Sequence, residues 1–145
     1  MTNCPAFVRG FGGRAFDNGN AYYIDGFLGA ALWLPPDVHP DEDALMELIQ
    51  RTVPEKARED LLSILDQLGS FHPSKPPWYS PLIAVDPAHQ RKGHGSALMK
   101  HALIPCYKEN MFAYLESTNP TNIPLYERYG FEVAGKLEVG TAPPF

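Results

Sequence analysis

The chain contains 145 residues, of which 44% are hydrophobic, and its formal net charge of −5 corresponds to an isoelectric point near 5.4. This length and apolar content predict one domain over residues 1–145, with one sizeable hydrophobic core. The acidic balance and the lack of a membrane-length apolar run predict no nucleic-acid or membrane partner, whereas acidity suits a cationic amine substrate.

The first predicted element is a β-hairpin. Tyr22–Ile24 and Gly29–Leu34 are apolar runs on either side of a turn at Asp25-Gly26. Such runs around a turn are typical of paired strands, and Pro35-Pro36 ends the second one.

Two amphipathic helices are predicted next. Asp41 is placed to cap the first, and Pro54 to begin the second, which ends at Gly69. Their apolar residues recur at helical spacing and are Leu45, Leu48, Ile49, Val53, Leu61, Ile64, Leu65 and Leu68. A proline-rich connector over residues 73–77 leads into a predicted strand over residues 78–85.

The most informative segment follows this strand. Its loop reads Gln90-Arg91-Lys92-Gly93-His94-Gly95-Ser96 and leads into a predicted helix from Gly93 to Ile104, which Pro105 ends or kinks. The glycines allow backbone N–H groups to converge on an anion at the positive end of the helix. The spacing fits neither a P-loop nor a dinucleotide fingerprint, which needs a third glycine where Leu98 stands. An ordinary strand-to-helix turn is the alternative.

A second motif lies downstream, in residues 114–131. Ala113–Glu116 is a predicted strand, Asn119-Pro120 a loop, and a short helix follows. Asn122 is placed to cap this helix and Gly130 to end it, before a further strand predicted over Glu132–Val139.

Together, the Gln90-x-x-Gly93-x-Gly95 loop and the Leu125-Tyr126-x-x-x-Gly130-Phe131 segment resemble the two signatures of the GCN5-related N-acetyltransferase (GNAT) family. The resemblance implies an α/β fold with a mixed, mostly antiparallel sheet flanked by helices. It also implies a sheet that opens beside the strand before the loop, where acetyl-CoA enters. The pantetheine arm would pair with backbone at Leu82, Ile83, Ala84 and Val85, and the pyrophosphate would contact Gln90, Arg91, Lys92, Gly93, His94, Gly95 and Ser96.

The resemblance also implies catalytic roles. Tyr126 matches the family's general acid, which protonates the departing thiolate; its alternative role is packing, and Tyr129 competes with it. Some relatives carry a glutamate base on the strand before the loop, but this chain has Ser80, Pro81, Leu82, Ile83 and Ala84 there. Glu116 could accept the proton directly or through water, or could simply bond to the loop after it. Asn119 and Asn122 are expected to contact the cofactor or to serve local turns.

The implied activity is transfer of acetyl from acetyl-CoA to a primary amine, on a small molecule or a peptide. The rivals are an acyl-CoA-binding or sensing module without turnover and a fragment that needs another chain to cover its sheet edges. A homodimer is left open. Both ends look short for the family, with only the glycine-rich lead Arg9–Gly13 before the hairpin and Gly140–Phe145 where a last strand is expected.

Metal and disulfide chemistry are not expected. His89, His94 and His101 lack the spacing and the cysteine neighbours of a zinc site. Cys4 and Cys106 stand in no redox spacing and no signal peptide is evident, so we predict a reduced, cytoplasmic protein.

Overall fold

The computed structural model describes residues 4–138 of the chain. Four strands are described: β1 (Ala21–Tyr23), β2 (Gly29–Leu34), β3 (Trp78–Val85) and β4 (Ala113–Leu115). The helices are α1 (Cys4–Gly12), α2 (Arg14–Asp17), α3 (Glu42–Thr52), α4 (Glu55–Phe71), α5 (His94–Ala102), α6 (Ile104–Glu109) and α7 (Ile123–Glu127). Single 3₁₀ turns lie at Asp25–Phe27, Pro87–His89 and Pro120–Asn122.

The strands form one mixed sheet in the order β1-β2-β3-β4. β1 pairs antiparallel with β2, and β2 antiparallel with β3, so the predicted hairpin is confirmed. β4 pairs parallel with β3, from Trp78 opposite Ala113 to Ser80 opposite Leu115. The predicted mixed, mostly antiparallel sheet flanked by helices is therefore confirmed.

Side-chain alternation along the strands divides the core between the two faces of the sheet. One face packs Trp33 and Trp78 against α5 and Tyr126. The other packs Leu34 and Tyr79 against α1 and α2, with Tyr114 at its border. The predicted placement of Leu98 and Ala102 against the sheet is confirmed, since both are buried in the first cluster.

The prediction of a mere glycine-rich lead before the hairpin is wrong, because this segment forms α1 and α2. Its glycines permit close approach instead of breaking the helix. A Cβ on Gly10 would lie 3.1 Å from Leu45 Cδ2, and one on Gly12 would lie 2.5 Å from Leu32 Cδ1. The absence of side chains there lets α1 rest directly on α3 and β2.

The predicted helices occur, but some of their ends differ. Asp41 caps α3, because its Oδ1 accepts from the Ala44 N–H at 3.1 Å. Gly69 does not end α4, which continues to Phe71 and stops before Pro73, since a residue preceding proline disfavours helical geometry. The predicted helix over 93–104 is shorter, and Pro105 lies in the first turn of α6, where its missing N–H costs nothing.

The strand predicted over Glu132–Val139 is wrong for the described part, because residues 131–138 form no strand. The segment is held by side-chain packing: Leu137 is buried, and the ring of Phe71 occupies the space that a Cβ on Gly135 would need. Within residues 4–138, the outer edge of β4 thus pairs with no strand. Val139 and the segment Gly140–Phe145 lie outside the described residues.

Candidate functional site

The sheet opens between β3 and β4. β4 ends at Leu115, opposite Ser80, whereas β3 continues through Pro81 to Val85. This last part of β3 has β2 on one edge and, among the described residues, no strand on the other. Its free edge includes the predicted pantetheine-binding residues Leu82, Ile83, Ala84 and Val85, whose backbone can pair with an extended ligand.

The loop after β3 is held in shape by its own polar groups. Asp86 Oδ1 accepts from the Ala88 N–H at 2.8 Å, and Gln90 Nε2 donates to the Val85 carbonyl at 3.3 Å. Two residues have left-handed backbone, Arg91 with φ 62° and Gly93 with φ 85°. Gly93 stands at the N-cap of α5, a nine-residue helix. The glycine is therefore required at this position by the backbone itself.

The N–H groups of residues 90–96 have no acceptor among the described residues, whereas the next one, that of Ala97, donates to the Gly93 carbonyl at 2.9 Å. The set includes the orphan donors of the first turn of α5. Arg91 and Lys92 are exposed and form no salt bridge in the part of the chain described. A run of free donors, a helix N-terminus and two cations are groups that could together hold an anion.

The two sequence motifs touch each other at the start of α5. A Cβ on Gly95 would lie 3.3 Å from Leu125 Cδ2, so the glycine permits close approach of α7. The Tyr129 hydroxyl donates to the Ser96 carbonyl at 3.1 Å. This bond gives the Tyr129 hydroxyl a structural role that does not require the acid function weighed for it.

Tyr126 lies in the core beside the open part of the sheet. Its side chain is buried, and its ring meets Phe131 edge to face with centroids 6.1 Å apart. Burial raises the pKa of its hydroxyl, while hydrogen bonding by the side chains of Ser117 and Asn122 acts in the opposite direction. The phenol is therefore protonated at neutral pH, as a proton donor must be.

Among the described residues, Glu116 forms no hydrogen bond with the loop that follows it. Its Oε2 accepts from the Tyr79 hydroxyl at 2.7 Å, and its Oε1 lies 3.0 Å from His72 Nε2. The Tyr114 ring lies against His72, with centroids 4.4 Å apart. Burial, followed by the nearby Glu116 charge, raises the pKa of both Tyr79 and Tyr114. A carboxylate, an imidazole and two neutral phenols thus form one cluster.

The two asparagines of the second motif differ. Asn119 Oδ1 accepts from the Thr121 N–H at 3.0 Å and from its hydroxyl at 2.8 Å, which is the local turn role. Asn122 stands at the N-cap of α7, but its side chain makes no capping bond, so the predicted cap is wrong. Its side chain instead acts on the Tyr126 hydroxyl, whose pKa it lowers.

Ser80 is a polar residue that sequence reasoning passed over. It is 5% exposed, and its Oγ has no partner among the described residues. It stands at the last paired position before the sheet opens. A buried hydroxyl without a partner is costly, and no sequence signal marks it, because serine in a strand is ordinary.

A cleft of about 830 Å³ follows the outer edge of β4. Tyr126 and Glu116 both line it, as do Ser117 and Tyr129. The loop over residues 90–96 does not line it and lies instead at the other side of the opening. The structure thus brings the predicted acid and base to one cavity and the predicted phosphate contacts to a separate surface.

Residues 4–138 contain no group of three or more His, Cys, Asp and Glu side chains arranged to hold a metal ion. Over the same residues, no helix combines the length and the apolar character needed to cross a membrane.

Comparison with known proteins agrees with this geometry. Residues 64–133 match the family model described as "Acetyltransferase (GNAT) domain". A Corynebacterium glutamicum structure described as "histone acetyltransferase HPA2 and related acetyltransferase" shares the fold, with 22% identity and a TM-score of 0.57 over 99% of this chain and 81% of the other. A GCN5-related N-acetyltransferase from Ralstonia eutropha JMP134 is 32% identical over 49% of each chain, with a TM-score of 0.39.

Proposed function

Because residues 64–133 match the GNAT acetyltransferase family model, we propose that this chain is an N-acetyltransferase that moves acetyl from acetyl-CoA to a primary amine by direct attack. The observation that carries the proposal is the run of unpaired N–H groups over residues 90–96 at the start of α5. A diphosphate would satisfy these donors, and Arg91 and Lys92 would add charge.

The free edge of β3 supports the placement of the rest of the cofactor. From residues 90–96, a pantetheine arm would run back along Leu82 to Val85, whose outer edge is open. Backbone pairing of this kind uses no particular side chain, which suits the apolar sequence. The thioester would then reach the point where β3 and β4 diverge, beside Ser80.

Tyr126 supplies the acid in this proposal. Amine attack forms the C–N bond and breaks the C–S bond, and the Tyr126 hydroxyl gives its proton to the sulfur. Its raised pKa keeps it protonated until that step. The substrate ammonium, with an ordinary pKa of about 10.4, must lose a proton before its nitrogen can attack. The Glu116 carboxylate assists this deprotonation.

The second function is an acyl-CoA-binding or sensing module without turnover. It is favoured by one observation: between Ser80 and Val85 β3 carries no carboxylate at the position that some relatives use as a base. Both functions require the loop, so cofactor binding alone does not separate them.

The test is calorimetric titration with acetyl-CoA, followed by a panel of small and peptide amines assayed for released CoA. Binding with turnover supports the transferase, and binding without turnover supports the module. Tyr126→Phe should leave the Kd for acetyl-CoA within about twofold and lower kcat by about 10²-fold or more. Tyr23→Phe, which changes an exposed tyrosine on β1 outside the cleft, is the matched control and should change neither. A Tyr126→Phe variant with unchanged kcat would refute the acid role.

A further inference from the structure

The cluster around Glu116 contains a group that the sequence did not single out. His72 follows α4, and its side chain is 39% exposed, whereas that of Glu116 is 16% exposed. The His72 imidazole is therefore accessible to solvent, whereas the Glu116 carboxylate behind it is largely buried. A covered carboxylate that holds an accessible imidazole is the arrangement by which proteins orient a general base.

Hydrogen bonding sets the tautomer. Glu116 accepts from the Tyr79 hydroxyl through Oε2, so its Oε1 is left for His72 Nε2 at 3.0 Å. If Nε2 carries the hydrogen, as an ionised carboxylate requires, the basic lone pair belongs to Nδ1.

The surroundings hold the imidazole in place. Tyr114 and Tyr79 pack against the ring with centroid distances of 4.4 and 5.4 Å. These two phenols and Glu116 are the titratable groups that the packed strands direct at His72. Because burial and Glu116 raise the pKa of both phenols, neither phenol adds charge, and the Glu116 carboxylate would attract an ammonium group.

The position of the cluster suits the acceptor side of the reaction. Tyr79 and Tyr114 belong to one face of the sheet, while Tyr126 belongs to the other. The cleft passes around the edge of β4, where both Glu116 and Tyr126 line it. An amine approaching from the face of the cluster would thus meet a thioester whose sulfur faces Tyr126.

We infer that His72 is the general base of the transfer, with Glu116 as its positioning residue; this inference rests on the proposed function. Nδ1 removes one proton from the substrate ammonium and later gives it to water. The neutral nitrogen then attacks the thioester carbon, so the C–N bond forms and the C–S bond breaks. Nitrogen loses a second proton, and sulfur receives one proton by way of Tyr126, so Tyr126 ends the reaction protonated. The products are a neutral amide and the free thiol of CoA.

The experiment compares His72→Gln with His101→Gln, which changes an exposed histidine on α5 outside the cluster. His72→Gln should lower kcat by about 10²- to 10⁴-fold, with the Kd for acetyl-CoA unchanged, and added imidazole should restore part of the rate. Glu116→Gln should lower kcat by at least about tenfold, and ¹⁵N NMR should show that the Nε2–H tautomer of His72 is lost.

The outcomes separate this inference from the function on which it rests. A His72→Gln variant that retains kcat within about threefold, or that imidazole does not rescue, overturns the base role alone. A wild-type chain that binds acetyl-CoA but acetylates no amine overturns the transferase and the base role together. A wild-type spectrum with the hydrogen of His72 on Nδ1 overturns the part assigned to Glu116.

Discussion

Replacing Gly93 by alanine tests the anion site through the backbone alone. Gly93 has φ 85°, and a Cβ added there would meet nothing within 4 Å, so the change introduces strain without a clash. An alanine in left-handed backbone costs roughly 1–2 kcal/mol. The loop can relieve this strain by turning Gly93 toward negative φ, which rotates its neighbouring N–H groups away from a common centre.

The loss of affinity should exceed the loss of stability. A hydrogen bond to a charged group contributes about 1.5–3 kcal/mol, so losing two such bonds to the diphosphate would cost about 3–6 kcal/mol of binding free energy. That corresponds to a Kd for acetyl-CoA raised by about 10²-fold or more. The assay is calorimetric titration, with thermal unfolding of the same samples measured alongside.

Gly19→Ala is the matched control. Gly19 lies between α2 and β1 with φ 70°, and a Cβ there also meets nothing within 4 Å. Both variants should lose similar stability, about 2–8 °C in Tm for a chain of this size, but only Gly93→Ala should lose affinity. An unchanged Kd in a destabilised Gly93→Ala variant, or an equal loss of affinity in Gly19→Ala, would refute the reasoning.

Three further changes test the fold. Asp41→Ala removes the cap of α3 and should lower the free energy of unfolding in urea by about 0.5–2 kcal/mol, more than Asp43→Ala, which removes a charge from the same first turn. Ser80→Ala removes a buried hydroxyl without a partner and should raise that free energy by about 1 kcal/mol. Burial raises the pKa of the Cys106 thiol from its usual 9.0 to about 11, so its stabilising contribution is complete below pH 9 and is lost as pH rises toward 11. Cys106→Ala should therefore make the decline in stability between pH 9 and 10 shallower than in the wild type, while the tyrosines whose pKa values are also raised contribute the remainder in both.

Each of these three predictions has an outcome that would contradict it. Equal losses in Asp41→Ala and Asp43→Ala would show that the charge, and not the capping bond, matters. A destabilised Ser80→Ala variant would show that the hydroxyl has a partner, such as a bound water. A decline from pH 9 to 10 that is as steep in Cys106→Ala as in the wild type would assign it to other groups.

The elements that the sequence predicted are those with strong local signals. The turn at Asp25-Gly26, the cap at Asp41 and the change from apolar strand to glycine loop at residue 90 all act within a few residues. Such local preferences need no knowledge of the remaining chain. The hairpin, α3, β3 and the loop geometry were therefore predictable, and the family match over residues 64–133 agrees with the two motifs.

The errors come from contacts distant in sequence. Gly10 and Gly12 read as helix breakers, yet they serve close packing against Leu45 and Leu32, which no local pattern reveals. Residues 132–138 have strand-like composition, but a strand forms only where a neighbour accepts its hydrogen bonds, and none does among the described residues.

The cluster around Glu116 shows the same limit. It joins residue 79 on β3 with residue 72, just after α4, and residue 116, just after β4, and the register of β3 with β4 brings residues 79 and 116 together. The anion loop, in contrast, is a continuous segment. A site built from one segment can be predicted from sequence, whereas one assembled across strands requires the structure.

The contacts between the two motifs have a mechanical consequence. The hydroxyl of Tyr129 is bonded to the Ser96 carbonyl, and Leu125 rests on Gly95, so the chain is fixed to the first turn of α5 on both sides of Tyr126. If the first turn of α5 shifts when a ligand binds, these contacts would move the Tyr126 phenol with it. Anion binding at residues 90–96 and the orientation of the Tyr126 hydroxyl would then be coupled.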